Sequence, residues 1–429
     1  MVVGLAPHMS EYVTPRGNLY TEMDMMIYGD KKAGLLWFNV IMKVYTDMGF
    51  TINKADPCVI HYTSAKGTVH GAVTVDDTLF VYSSKEVLEE VEAAYVAAFG
   101  IDGFTSEKGN EFVHLGMLIS QDLDDKSIAV SQNKFVGELM EQAGPMLDKY
   151  GYDRGETPAD PKIFDEPKDT PFLSEADKEI YRSLNMSLMY AATRTYPECL
   201  VAATACAARF THATEGDMRR LLKAINYMTK DPNHCITIRP ASETIVCSAD
   251  CSYAVHTDGY SHDAIALGFE GVGEVPDAFF VFSSGKQTTI AKSSCHGELT
   301  TANVGADYLV WAMQLMEGFG NIGAPARLDR KGSEEVGLDT FDKQEPSPSA
   351  LRQDNKSTIH LIVMSRGSFK NSKHISVREQ FIRDLVRDGE SVVRWLHMSM
   401  MVADLMSKGV SRKVFRALLP ELLGRRRGE

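Results

Sequence analysis

The chain changes from helical to strand patterning in one stretch, and this stretch decides the fold of its second half: Thr244-Ile245-Val246-Cys247-Ser248-Ala249-Asp250-Cys251-Ser252. Upstream, apolar residues recur at helical spacing as far as about Met228. Downstream, short apolar runs predict strands at Ala264–Phe269, Ala278–Phe282 and Thr288–Lys292, and Gly297–Glu317 has the length and spacing of a helix. The second half is therefore predicted to combine strands with helices.

The first half also alternates between the two patterns. Periodicity predicts helices at Leu35–Phe50, Glu86–Phe99 and Lys134–Gln142, and strands at Val59–Tyr62, Val69–Tyr82, Phe112–Gln121 and Ser127–Ser131. Residues 151–173 are rich in Pro, Asp and Gly and predict a linker, and the polar residues 327–350 predict a loop. We therefore expect an α+β fold class.

Composition restricts the classes of function. The chain has 429 residues, of which 44% are hydrophobic, enough for two or three domains. A net charge of -13 argues against a general polyanion binder, so contacts to nucleic acid would need local basic groups such as Arg219, Arg220 and Lys223, or Arg425–Arg427. Irregularly spaced cysteines, no visible secretory signal and no long apolar run predict a cytoplasmic or nuclear protein that is neither secreted nor membrane-bound.

Two adjacent carboxylates, Asp76 and Asp77, follow the apolar run Gly71–Val75. Side by side they repel each other unless a cation neutralises them, and a pair at one hairpin could contribute to a two-metal phosphoryl-transfer site. The alternative is a plain hairpin with Asp at its turn, which is common.

Four further carboxylates stand at predicted strand ends and helix starts: Asp250, Glu298, Asp354 and Asp404. Groups in such places can converge on one edge of a sheet and hold two Mg²⁺ ions about 3.5–4 Å apart. Taken singly, each could instead complement a helix dipole or lie on the surface.

Short motifs in the first half resemble, in order, those of Ty1/copia-type reverse transcriptases. They are Ile27-Tyr28-Gly29, Leu36-Trp37-Phe38, Asp56-Pro57-Cys58, Thr74-Val75-Asp76-Asp77-Thr78, His114-Leu115-Gly116-Met117, Tyr181-Arg182-Ser183-Leu184 and Arg194-Thr195-Tyr196-Pro197. The family's first polymerase aspartate lies in a segment of the type Asp-Val-Lys-x-Ala-Phe-Leu-Asn, which does not occur in this sequence. The resemblance therefore predicts a truncated polymerase that does not polymerise DNA on its own.

The second half resembles the ribonuclease H domain of the same family. The matching motifs are Ser248–His256, Lys292-Ser293-Ser294 with Glu298-Leu299, Gln353-Asp354-Asn355, Lys373-His374-Ile375 with Phe381-Ile382-Arg383, and Ala403-Asp404 with Ser407-Lys408. All four carboxylate positions of the family are occupied. The resemblance implies that Asp250, Glu298, Asp354 and Asp404 are catalytic and bind Mg²⁺ or Mn²⁺, and that Asp76 and Asp77 are a remnant of the polymerase metal site.

This resemblance implies a division of the chain and a reaction. Residues 1–150 would be a partial palm with the start of the thumb, 151–242 a linker with thumb or connection helices, and 243–429 a ribonuclease H-like mixed sheet flanked by helices. The implied activity is metal-dependent hydrolysis of RNA in RNA–DNA hybrids, and the implied partner is such a hybrid or another nucleic acid.

Two departures from the family pattern favour a rival hypothesis, a decayed remnant without catalysis and with at most weak binding of nucleic acid. Pro346 and Pro348 fall where a strand should precede Asp354, and proline removes the donors of a ladder. Lys408-Gly409 replaces the usual Lys-Pro. Both departures resemble sequence drift in a retroelement that is no longer under selection.

Other signals carry less weight. Gly318-Phe319-Gly320-Asn321-Ile322-Gly323 follows a helix, whereas a dinucleotide site needs a strand before the glycines, so an oxidoreductase is a weak third hypothesis. Cys247 and Cys251, with His256 nearby, have poor zinc geometry within a strand. His374 and His397 could assist catalysis or be structural.

Overall fold

A computed structural model describes residues 12–16, 30–100, 102–152, 155–168, 170–319, 349–363 and 373–426. The chain folds as two compact units, Met1–Thr105 and Ser106–Glu429. Both contain helices and sheets, which confirms the predicted α+β class. The glycine motif from Gly320 onward, Pro346, Pro348, Arg427 and the side chain of His374 lie outside the described residues.

Within the described residues, the first unit has an antiparallel sheet in the strand order β1-β2-β3-β4 and two α-helices. Its elements are α1 (Ala33–Asp47), β1 (Thr51–Ile52), β2 (Val59–Ser64), β3 (Gly67–Thr74), β4 (Asp77–Tyr82) and α2 (Lys85–Phe99). Apolar residues from both helices and from the sheet form one buried core, which includes Tyr45, Ile60 and Val87. The helices and the strand Val59–Tyr62 predicted for this part of the chain are confirmed, whereas the predicted strand Val69–Tyr82 is divided into β3 and β4 by the turn at Val75-Asp76.

The second unit opens with another antiparallel sheet, β5 (Glu111–His114), β6 (Met117–Asp122), β7 (Ser127–Ser131) and β8 (Ile236–Ile238). The prediction of one continuous strand at Phe112–Gln121 is wrong. The chain turns at Leu115-Gly116, so that β5 pairs with β6. β8 comes more than 100 residues after β7 yet pairs with it, so residues 106–150 fold with the rest of this unit. The compact units divide after Thr105, and the domain divisions expected after residues 150 and 242 stay a prediction.

Four helices lie between β7 and β8: α3 (Asn133–Tyr150), α4 (Glu175–Ala192), α5 (Leu200–Ala207) and α6 (Glu215–Met228). Ser174 caps α4 by accepting a hydrogen bond from the backbone N–H of Asp177. The described residues of the predicted linker 151–173 form no helix or strand, but Ile163, Phe164 and Leu173 are buried, so this segment packs against the core. Arg220 donates hydrogen bonds to carbonyls of this loop, which fixes it to α6.

The third sheet has five strands in the order β11-β10-β9-β12-β13. They are β9 (Ile245–Ser252), β10 (His262–Phe269), β11 (Ala278–Lys286), β12 (Ser349–Gln353) and β13 (Val392–Trp395). β9, β10 and β11 are antiparallel, whereas β12 is parallel to both β9 and β13. This mixed sheet carries α7 (Ser294–Glu317), α8 (Lys356–Val363), α9 (Lys373–Arg387), α10 (Asp404–Ser407) and α11 (Arg412–Leu422) in the same unit.

Two strand predictions for this sheet are corrected. Thr288–Lys292 is not a strand, because the buried Gln287 side chain donates to Gly297 O and Asp263 Oδ1 and the chain bends there toward α7. The expectation that prolines would prevent the strand before Asp354 is also wrong. β12 begins at Ser349, one residue after Pro348, and pairs along both of its edges.

None of the helices within the described ranges is both long and apolar enough to cross a membrane.

The junction of α3 and α4 yields a prediction about stability. Lys149 Nζ lies 2.8 Å from Asp177 Oδ2, and the hydroxyls of Ser174 and Tyr150 donate to the same oxygen. The Lys149 contact, followed by that of Ser174, lowers the pKa of Asp177 to about 2. Because the unfolded value is about 3.9, this carboxylate stabilises the fold above that pH and loses the effect as the pH falls toward 2.

We therefore expect Asp177→Asn to lower the melting temperature near neutral pH by about 2–6 °C, with the difference from wild type shrinking in acid. Thermal unfolding followed by circular dichroism across the acid range measures this. Asp148→Asn, at an exposed position on α3, is the matched control. A difference that stayed constant down to about pH 2 would contradict the assignment.

Candidate metal centre

The register of two parallel strands places the first two carboxylates. β12 pairs with β9 so that Leu351 stands opposite Cys247 and Arg352 opposite Ser248. Continued for two residues, the same register sets Asp354 opposite Asp250. Asp250 lies within β9, which extends to Ser252, rather than at the strand end predicted for it. Asp354 follows the last residue of β12.

Glu298 comes from α7, which lies close against β9. A Cβ atom at Gly305 would stand 3.0 Å from Cys247 Sγ, and one at Gly297 would stand 2.7 Å from Cys251 Sγ. Glycine at these two positions therefore permits the close approach of helix and strand. Glu298 follows Gly297 in the second turn of the helix rather than opening it, because Ser293 is the N-cap.

These elements gather three of the four predicted ligands. One carboxylate oxygen from each of Asp250, Glu298 and Asp354 lies within 4.8 Å of the other two. Asp250 and Glu298 are buried and Asp354 is half-buried. Three carboxylates this close, and this poorly hydrated, repel one another strongly unless a proton or a cation is present.

The pKa values reflect this crowding. Burial, with the charges of Asp250 and Asp354, raises the pKa of Glu298 to about 9. Burial and the charge of Asp250 also raise the pKa of Asp354. Such shifts mark groups that gain from a bound cation, because the cation stabilises the ionised form that burial disfavours.

The site residues fit a divalent metal ion. Glu298 is 6% exposed, and no donor within the described residues meets hydrogen-bond geometry with its Oε2. A buried carboxylate oxygen without a donor is costly, and coordination to a cation would satisfy it. The donor set consists only of carboxylate oxygens, which are the ligands that Mg²⁺ and Mn²⁺ prefer.

The turn after β12 is shaped by the neighbours of Asp354. Gln353 Oε1 accepts hydrogen bonds from the backbone N–H groups of Asp354 and Asn355. Asn355 Oδ1 accepts from the N–H groups of Ser357 and Thr358, at the start of α8. Gln353 and Asn355 therefore position Asp354, a role that their sequence motif did not reveal.

Asp404 stands beside the group of three but is not one of them. It is the first residue of α10 and is buried, and its Oδ1 lies 2.7 Å from Lys408 Nζ. The same ammonium is 3.4 Å from Asp250 Oδ2, to which the Ser407 hydroxyl also donates. Burial and Asp250 raise the pKa of Asp404 to about 7, although Lys408 offsets part of the rise. The spacing of four residues between Asp404 and Lys408 was the sequence signal for this pair.

The packing around position 409 explains why glycine occurs there. A Cβ atom at this position would lie 1.8 Å from the backbone oxygen of Asp160. The loop before α4 thus approaches the chain directly after Lys408, and no residue with a side chain fits. The packing therefore gives Gly409 a structural explanation, and the interpretation of Lys408-Gly409 as drift stays a hypothesis.

The remaining candidates are not gathered at this centre. Asp76 and Asp77 are exposed at the β3–β4 turn, where Thr74 pairs with Asp77. Neither belongs to a group of three or more metal-binding side chains among the described residues. His397 Nδ1 accepts from the backbone N–H of Ser399, which is a capping role, and Cys247 and Cys251 lie along β9 as free thiols.

The basic groups considered for nucleic acid make ion pairs within the fold. Their partners are Glu215 for Arg219, Asp217 for Arg220, Asp160 for Lys223, Asp231 for Arg425 and Asp125 for Arg426. Arg219 and Arg220 pair within α6, whereas Lys223, Arg425 and Arg426 join separate segments of the second unit.

Comparison with known proteins identifies distant relatives. No family model matches the chain. It is 22% identical over 412 residues, 94% of its length, to the retrovirus-related Pol polyprotein from transposon RE1 of Arabidopsis thaliana. It is also 22% identical over 395 residues, 91% of its length, to that from transposon RE2 of the same plant. The chain spans about a quarter of the length of these curated relatives and is distantly related to retrotransposon polyproteins.

The close approach at Gly409 predicts that a side chain there destabilises the second unit. We expect Gly409→Ala to lower the free energy of unfolding by about 1–3 kcal/mol, because the added methyl forces the backbone at Asp160 away. Chemical denaturation measures the change. Gly285→Ala is the control, since a Cβ atom there meets nothing within 4 Å. Equal stability of the Gly409 variant and wild type would count against this contact.

Proposed function

We propose that the chain is a reverse transcriptase/ribonuclease H fragment of a retroelement, and that its second unit hydrolyses RNA in RNA–DNA hybrids with Mg²⁺ or Mn²⁺. One observation carries the proposal: Asp250, Glu298 and Asp354 bring carboxylate oxygens within 4.8 Å of one another, and no donor within the described part of the chain forms a hydrogen bond to the buried Oε2 of Glu298. The distant relation to retrotransposon Pol polyproteins supports the retroelement origin.

The residues of this centre suit hydrolysis of a phosphodiester. A divalent cation held by Asp250, Glu298 and Asp354 supplies charge neutralisation and activation of water. β9 and β12 fix two of the ligands on one rigid sheet, and α7 brings the third, so the ligands need little rearrangement. Half-buried Asp354 is the member of the group that is most accessible from solvent.

The mixed sheet and its helices also support the proposed nuclease function. It has carboxylates on a central strand, on the helix that packs against that strand and at the end of the parallel neighbouring strand, and this placement supports the proposal. Two departures from the family pattern also have structural explanations, because β12 forms its ladders and a Cβ atom at Gly409 would meet the backbone of Asp160, and this favours the nuclease over the non-catalytic remnant.

The decisive experiment is cleavage of a labelled RNA–DNA hybrid by the purified chain in Mg²⁺ or Mn²⁺. We expect cleavage of the RNA strand, and a loss of at least about 100-fold in Asp250→Asn and Glu298→Gln, because each substitution removes a charged ligand. Asp124→Asn, at an exposed carboxylate on the β6–β7 turn, serves as the control and should retain activity. A folded wild-type chain that leaves the hybrid intact would favour the non-catalytic remnant instead.

The exposed pair Asp76 and Asp77 leads to a separate expectation. Two carboxylates at a hairpin turn provide too few ligands for the two ions of a polymerase centre. We expect no primer extension by this chain on an RNA template, and no change when Asp76 and Asp77 are both replaced by Asn. Extension that those substitutions abolish would show that the polymerase site is complete.

A further inference from the structure

We propose that the ammonium group of Lys408 takes the place of a second divalent cation between Asp250 and Asp404, so that the centre binds one divalent ion per chain. This inference rests on the proposed function, in that it concerns the metal content of the same centre. It assigns Lys408 a positioning role and gives Asp404 a role different from that of the other three carboxylates.

The first argument is the position of the ammonium. Lys408 Nζ lies 2.7 Å from Asp404 Oδ1 and 3.4 Å from Asp250 Oδ2. Asp250 Oδ2 also accepts the hydroxyl of Ser407. The oxygens that would face a cation between Asp250 and Asp404 therefore already have a cationic partner and a hydrogen-bond donor.

The carboxylates on the two sides of Asp250 differ in their ion pairs. Asp250, Glu298 and Asp354 form a compact group, and neither Glu298 nor Asp354 makes an ion pair within the described residues. Asp404 lies outside that group, and its Oδ1 is 2.7 Å from Lys408 Nζ. One side of Asp250 thus presents carboxylates without an ion pair among the described residues, whereas the other side presents an ion pair that is already formed.

The third argument is that Lys408 is held in place. It is four residues from Asp404 at the end of α10, and the backbone of Asp160 packs closely on Gly409 directly after it. A divalent ion between Asp250 and Asp404 would have to displace this ammonium, since two cations at such a short distance repel each other. The ammonium also reduces the negative charge that would attract a second ion.

The test counts bound Mn²⁺ without nucleic acid, from the loss of the free Mn²⁺ signal in electron paramagnetic resonance as the chain is titrated. We expect one Mn²⁺ per wild-type chain. Lys408→Met, which keeps most of the side-chain length but removes the charge, should bind two. Lys413→Met, at an exposed lysine of α11, is the matched control and should bind one.

Carboxylate variants make the test independent of whether Lys408→Met folds. Asp404→Asn should still bind one Mn²⁺, whereas Glu298→Gln should bind at least about tenfold more weakly than wild type. Two ions on the wild-type chain, or equal weakening by Asp404→Asn and Glu298→Gln, would overturn the inference.

The outcomes separate this inference from the proposed function. Cleavage of the hybrid by a wild-type chain that binds two ions would refute the role of Lys408 and leave the nuclease in place. One bound ion with no cleavage would support the role of Lys408 and refute the nuclease. A wild-type chain that binds no Mn²⁺ would refute both.

Discussion

The parallel pairing of β12 with β9 is the constraint on which the centre depends. Its register carries Asp354 to the position opposite Asp250, although 104 residues separate them in the chain. A slip of one residue would turn the side chains of β12 to the opposite faces of the sheet and separate the two carboxylates. Gln353 and Asn355 then shape the turn that follows, so that the strand end and the start of α8 are fixed together.

Electrostatic repulsion is the cost of this arrangement. Asp250, Glu298 and Asp404 are buried, and Asp354 is half-buried beside them, so their charges are poorly screened. The protein offsets part of this repulsion itself, through Lys408 and the hydroxyl of Ser407. The remaining repulsion acts on Glu298, because burial and the charges of Asp250 and Asp354 raise its pKa to about 9. The centre therefore carries more negative charge than Lys408 and Ser407 offset.

The same packing explains features that resemble decay in the sequence alone. Gly409 departs from the family pattern, yet the backbone of Asp160 leaves no room for a Cβ atom. β12 forms ladders on both of its edges from Ser349 onward. Lys223, which could have been part of a basic patch, instead pairs with Asp160 and joins a helix to a loop.

The sequence by itself determined most of the helices and strands of the first unit and the strands near Asp250. It also identified the three carboxylates that lie close together, Asp250, Glu298 and Asp354. Periodicity and ordered motifs are local properties, so they can be read along the chain. Only the tertiary structure decided that 106–150 folds with the later residues, that residues 151–173 are packed, and that Lys408 stands between Asp250 and Asp404. These depend on contacts between residues far apart in sequence, whose distances are fixed by strand register and close packing rather than by any local pattern.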